Sequence, residues 1–284
     1  MCIQITGRKI MLELPESYTI ANQIQKHLSG KIISHIKILQ TPHKFAFFNN
    51  EADRYGEALE GQSITGAVFR GGMVEINTED SMIVFYDGAY PRYCEDRTKF
   101  PKKHQFAIYF DDETGIFVSI QMYGGITIFP KGECTNDYYI SSSTKPNPLT
   151  DGFTFDYFMS LYPAGGKKLS AKAFLATQQR IPGLGNGVLQ DILWEAGIDP
   201  RYPMQDAPEE AFRSLYDAVN QVIKAMAEQG GRDTERDLFG QKGRYITQLS
   251  KNSLNQPCTR CGYELHKTNY MGGTIYFCEH CQKR

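Results

Sequence analysis

The chain has 284 residues, 41% hydrophobic and 22% charged, the composition of a soluble globular protein with room for about two domains. No apolar run approaches the roughly 20 residues a membrane span requires, and residues 1–10 lack the apolar core of a signal peptide, so a cytoplasmic protein with reduced cysteines is expected and no membrane partner. The net charge of −1 argues globally against a polyanionic partner, yet from Gly230 onward nine basic residues face five acidic ones, which puts any anionic partner at the C-terminal end.

Residues 1–11 are read as an extension, with Met11 a second candidate start. From Leu12 the pattern predicts a helix ending at Gly30: Pro15 and Glu16 suit a first turn, and Ile20, Ala21, Ile24 and Leu28 form one apolar face. Short β-rich pieces follow at 31–39, 63–69, 73–77, 82–86, 105–110, 115–121 and 125–129, with turn residues such as Asn49-Asn50 and Asp111-Asp112 between them. A mostly antiparallel β domain spanning 1–140 is expected, sandwich or barrel. Residues 141–151, with Pro146, Pro148 and a run of small polar side chains, read as a linker.

Beyond the linker the pattern is helical, and 152–254 is taken as a second domain. Ser170–Gln179 is one helix. Gly183 and Gly185 then precede an apolar stripe, Val188, Leu189, Ile192, Leu193 and Ala196, which Gly197 stops. Free backbone N–H groups at that helix start, with Asn186 beside them, suit a single phosphate; an ordinary loop ahead of a core helix has the same sequence. A third helix runs from a capping box of Asp206 and Glu209 down to Gly230-Gly231.

Residues 255–284 form a separate module. Cys258-x-x-Cys261 and Cys278-x-x-Cys281 are separated by sixteen residues, which suits two thiolate knuckles around one structural Zn(II) and a hairpin carrying Gly272-Gly273. Such a segment is too small to fold without metal. Cys2, Cys94 and Cys134 are scattered, and His266 and His280 are read as surface residues.

Together these features resemble the formamidopyrimidine-DNA glycosylase and endonuclease VIII family of base-excision repair proteins. The likeness runs through Leu12-Glu-Leu-Pro-Glu16, Pro146-Asn-Pro-Leu149, Ile181-Pro-Gly-Leu-Gly-Asn186, Ala196-Gly-Ile-Asp-Pro200, Gly240-Gln-Lys-Gly-Arg-Tyr245 and the cysteine pairs. It implies an α+β fold: an N-terminal antiparallel β sandwich with flanking helices, a helix-two-turn-helix element around Asn186, and a zinc hairpin. It also implies double-stranded, damaged DNA as the partner of a monomer. Gly183, Gly185, Asn186, Lys172, Arg232, Arg236, Lys242 and Arg244 would then be DNA contacts, and Glu13, with Glu16, the acid and base near the sugar.

The resemblance breaks at the chemistry. The family's nucleophile is an N-terminal proline amine, and its position holds Leu12, in mid-chain, whose amide lone pair is delocalised. The assisting hairpin lysine falls near Gly72, the void-filling methionine and arginine near Ala89 and within Gln121-Met-Tyr-Gly124, and the zinc-hairpin arginine at Gly273 or Thr274. The expectation is a binder of damaged or distorted DNA without imine chemistry. Two alternatives stand beside it: a glycosylase or abasic-site lyase using Glu13 with water or another amine, and a protein-interaction adaptor.

Overall fold

The computed structural model describes residues 11–49, 52–120, 122–163 and 168–284. The expectations placed on residues 1–10, on Asn50 and on Gln121 lie outside the described residues.

Helix α1 (Leu14–Leu28) opens with Pro15 in its first turn, where the missing N–H costs nothing, and stops at Gly30 in a left-handed conformation. Its expected face, Ile20, Ala21, Ile24 and Leu28, is fully buried against the β domain, while Leu14 turns the other way into the helical core. This one helix therefore belongs to both hydrophobic cores.

The β domain is a sandwich. Strands β1 (Ile33–Ile38), β6 (Pro91–Cys94), β7 (Phe106–Phe110) and β8 (Gly115–Val118) form a sheet in the order β1-β7-β8-β6. The second sheet contains β2 (Ala46–Phe48), β3 (Gly66–Arg70), β4 (Met73–Asn77), β5 (Ser81–Asp87) and β9 (Gly124–Pro130), ordered β2-β9-β5-β4-β3. Pairing is antiparallel except for β2 with β9. Alternate residues of the two sheets, among them Ile83, Phe85, Phe106, Ile108 and Ile126, interdigitate with no exposure. Helix α2 (Ala52–Leu59) fixes Tyr55 and Leu59 in the same core. Sequence patterning missed β2, α2 and β6, which are short and interrupted by turn-forming residues. Cys94 is disulfide-bonded, against the expectation of reduced cysteines.

The expected linker is partly helical: α3 (Asp137–Thr144) takes its first four residues. Asn136 caps the helix by accepting from the Tyr139 N–H, and Pro146 disfavours a helical residue before it. The polar run Ser141–Thr144 thus has a strong start and stop signal around it, which composition alone concealed.

The helical region holds α4 (Phe155–Ser160), α5 (Ala171–Ala176), α6 (Asn186–Glu195) and α7 (Glu209–Glu228) around Phe158, Phe174, Leu189, Ile192 and Val219. The expected helix through Gln179 is cut short because Gln178 and Gln179 adopt positive φ. The capping box does not form either; Pro208 is the N-cap of α7 and no side chain caps it. The dipole is met by Glu209 and Glu210 in the first turn instead. A C-terminal hairpin, β10 (His266–Tyr270) and β11 (Gly273–Phe277), turns through Met271 and Gly272, both at positive φ.

The β domain meets the helical region at a contact of bare backbone. The β3–β4 turn at Gly71-Gly72 lies on Pro182-Gly183, and a Cβ at Gly183 would sit 2.3 Å from the Gly72 nitrogen. Gly183 also has φ +77°, which L side chains rarely adopt. Gly183→Ala is expected to destabilise by about 2–4 kcal/mol, lowering Tm by on the order of 5–10 °C in thermal unfolding.

Candidate functional site

Glu13 is the N-cap residue of α1, yet its side chain does not cap that helix. Its carboxylate reaches across to α6, accepting from Gly187 N–H at 2.8 Å and Val188 N–H at 2.7 Å. These are the free donors of a helix N-terminus, and a carboxylate satisfies them as a phosphate would. The phosphate cradle expected at Gly183, Gly185 and Asn186 is thus already filled from within. Gly183 N–H is taken by the Gln179 side chain at 3.1 Å, and a Cβ at Gly185 would collide with Glu13 at 2.5 Å. Both glycines are required by close packing.

Arg232, an expected DNA contact, is buried in this fold. It is 3% exposed, with Nε 2.9 Å from Glu16 Oε1, Nη2 2.7 Å from Glu16 Oε2 and Nη1 3.4 Å from Glu13 Oε2. A bidentate fork to one carboxylate and a lateral contact to the other use the guanidinium fully. Glu16, 3% exposed, therefore holds Arg232 and does not reach the open space beside Glu13. Burial raises the Glu13 carboxyl, and Arg232 with the two α6 amides pulls it back down.

The remaining expected contacts divide by exposure. Lys172 is 4% exposed and donates to the Tyr270 carbonyl at 2.7 Å. Asn186 donates to the Thr274 carbonyl at 2.9 Å, and its Oδ1 is buried without a partner among the described residues. Gly273 lies between them: a Cβ there would be 3.2 Å from both Asn186 Oδ1 and Lys172 Nζ. Where the resemblance calls for an arginine, the hairpin backbone occupies the space. Arg236 donates to the Gly240 carbonyl, whereas Lys242 and Arg244 are exposed.

The neighbourhood of Leu12 is equally closed. Its amide nitrogen donates to the Asp87 carbonyl at 2.7 Å, and its side chain is 5% exposed in the β core. A Cβ at Gly72 would lie 2.9 Å from the Leu12 carbonyl oxygen. No side chain, lysine included, fits there without moving backbone.

Three residues that sequence reasoning did not single out complete the site. Glu235 is pushed up to about 8 by burial, against the pull of Arg232. The Tyr90 hydroxyl lies 2.9 Å from the Met11 carbonyl and 3.4 Å from Glu235 Oε2. Buried Arg92 stacks over the Tyr90 ring at 4.7 Å, its Nε and Nη2 unpartnered among the described residues, and burial lowers it to about 10. Only a third-strand register and a loop crossing bring these together, so no local motif announces them. Glu13, Arg232, Glu235, Lys172, Asn186 and the 271–274 turn line one cavity of about 640 Å³.

The four C-terminal cysteine sulfurs all lie within 4.8 Å of one another, and this cluster can hold a metal ion. The module is bound to α6: Asp191 accepts from Gln248 and Leu249 N–H, Gln190 accepts from Tyr276 N–H, and Trp194 Nε1 donates to Cys258 Sγ. Arg260 covers the Trp194 ring at 4.0 Å. His280 is exposed and stacks on Tyr263, and His266 packs beside Phe277.

Replacing Arg232 with methionine leaves two buried carboxylates facing each other without a cation. A loss of about 3–5 kcal/mol in urea unfolding is expected. The triple variant with Glu13→Gln and Glu16→Gln should recover part of it.

No family model matches the chain. It is 25% identical over 280 residues to a formamidopyrimidine-DNA glycosylase of Streptococcus pneumoniae serotype 4, covering 96% of this chain and 100% of that one. A protein of the same description from Enterococcus faecalis is 26% identical over 288 residues, covering 96% and 98%. Among solved structures, Lactococcus lactis Fpg in complex with DNA containing an abasic site has a TM-score of 0.82 at 22% identity, covering 96% of this chain and 100% of the other. The Fpg protein of Thermus thermophilus has a TM-score of 0.79 at 22% identity, covering 95% and 98%. The likeness extends over nearly the whole of both chains, in sequence and in fold.

Proposed function

We propose that this chain is a DNA-binding repair protein on the formamidopyrimidine-DNA glycosylase scaffold, which recognises damaged or distorted duplex DNA as a monomer and does not use proline imine chemistry. The observation that carries the reading is the cavity where the β sandwich, α6 and the C-terminal hairpin converge, with Glu13 held in it by two helix amides and Arg232. The structural relatives include complexes with abasic and damaged DNA. Exposed Lys242 and Arg244 supply phosphate attraction, while Lys172 and Asn186 require the hairpin carbonyls to release them. Affinity is therefore expected to be lower than in relatives with a free cradle, and strongly salt-dependent. Alanine at both Lys242 and Arg244 should weaken binding to all duplex sequences roughly tenfold and reduce the salt slope by about 2, read from fluorescence anisotropy across ionic strength. Salt-insensitive binding would favour the adaptor reading.

The non-imine reading rests on the Leu12 nitrogen, which is acylated and donates its hydrogen to Asp87. Borohydride reduction with an abasic duplex is expected to leave no adduct on Leu12. A second reading, hydrolysis assisted by Glu13, is favoured by the position of that carboxylate on the cavity wall; base release without trapping would support it.

The cysteine cluster is assigned one structural zinc ion, because four sulfurs within 4.8 Å of one another suit a closed tetrahedral thiolate site and leave no position for substrate. Metal analysis should return one zinc per chain. Chelation should unfold the 255–284 module, whose small core of Cys258, Leu265 and Cys278 packs on Leu249 of the preceding region. A cytoplasmic location belongs to the same proposal; no described helix is long and apolar enough to cross a membrane.

A further inference from the structure

We infer that Glu235 is the acid of a hydrolytic pair with Glu13, protonating a damaged base as water displaces it from the sugar. The inference rests on the DNA-repair reading above and names the group that would carry its chemistry.

Two carboxyl groups line the same cavity as Arg232, and they are held differently. Burial raises Glu13, but it receives three donors, two amides and a guanidinium, each of which favours its ionised form. Among the described residues Glu235 has no donor of that kind. Its nearest polar contact is the Tyr90 hydroxyl at 3.4 Å, which donates more closely to the Met11 carbonyl at 2.9 Å. Glu235 thus has only a share of one long hydroxyl donor where Glu13 has three donors of its own, so little holds it in the ionised form. The groups facing Glu235 are Arg232 from its own loop, Glu13 and Glu16 from α1, and Arg92 and Tyr90 from the β domain. The two glutamates and burial outweigh the two arginines, so the acid form persists near neutrality. Environments that push two carboxyls apart in this way divide the acid role from the base role.

The reaction balances without a cofactor. Water oxygen bonds to C1′ of the damaged nucleoside while the N-glycosidic electron pair leaves onto the base nitrogen. That nitrogen takes the Glu235 proton, and the water proton passes to the Glu13 carboxylate. Solvent then removes the proton from Glu13 and returns one to Glu235. The products are free base and an abasic sugar, with no covalent bond to the protein. An acid and a base on either side of a glycosidic bond are what an inverting displacement by water requires.

The test measures base release from a duplex containing a formamidopyrimidine-guanine lesion between pH 5.5 and 9.5, with borohydride trapping and duplex affinity measured in parallel. Wild type should release base with a rate that falls as pH rises through about 8, and give no adduct. Glu235→Gln should bind the duplex as wild type does, release base on the order of a hundredfold more slowly, and lose the falling limb. Glu235→Asp should keep the limb at reduced rate, and Tyr90→Phe should move it; these two carry the test if Glu235→Gln fails to fold. Wild type that binds but releases no base overturns the inference and leaves the DNA-binding reading intact. So does Glu235→Gln with an unchanged rate and limb. Absence of salt-sensitive binding in wild type overturns both.

Discussion

The structure depends on a buried cation. Arg232 leaves the end of α7, passes beneath α1 and is gripped there by Glu16 and Glu13, while Glu13 in turn caps α6. One guanidinium thus links three helices drawn from both sides of the cavity. Desolvating an arginine and two carboxylates is costly, and their mutual attraction offsets the cost only when the hydrogen-bond geometry is nearly complete. That demand for geometry sets the angle between the β sandwich and the helical region more sharply than apolar packing could. It also explains why Gly187 bears no side chain: a Cβ there would sit 1.7 Å from Arg232 Nη1.

A consequence is that this molecule meets internally several of the needs that an external anion would otherwise meet. The α6 amides hold Glu13, Asn186 holds the Thr274 carbonyl, and Lys172 holds the Tyr270 carbonyl. Two of the three partners are neutral carbonyls on a hairpin tip whose turn residue Met271 is half exposed. The buried, unpartnered Asn186 Oδ1 marks where this substitution is incomplete. These donors are therefore already occupied from within the chain.

Much of this could be read from the chain and some could not, for definable reasons. The apolar stripes of α1, α6 and α7 and the paired cysteines were legible because each follows a local period or spacing. The mature positions of β3 to β5 and β7 to β9 were legible for the same reason. Arg232 was misread because a basic residue beside a Gly-Gly stop resembles a surface charge; only the fold brings it within reach of Glu13 and Glu16, more than two hundred positions earlier. Glu235, Tyr90 and Arg92 carry no motif, and their roles arise from burial beside one another. The Ser141–Thr144 run was misread because its helix signals, Asn136 and Pro146, lie outside the polar stretch itself.

Gly72 shows how sequence departures at different positions become one physical fact. Under the resemblance, Gly72 stands near an expected lysine and Leu12 at an expected proline, two separate departures when read along the chain. In the fold the two are in contact: the Gly71-Gly72 turn presses on the Leu12 carbonyl and on Gly183, and the Ser17 hydroxyl donates to the Gly71 carbonyl to hold it there. A lysine at 72 would drive this turn away from Leu12, and an amine at 12 would need the space that the turn fills. Removing either requirement permits the other to lapse, after which close backbone packing stabilises the closed arrangement. Under the non-imine reading proposed above, the acylated Leu12 nitrogen and the packing around it act together, and the chemistry left to this cavity is what Glu13 and Glu235 direct at water.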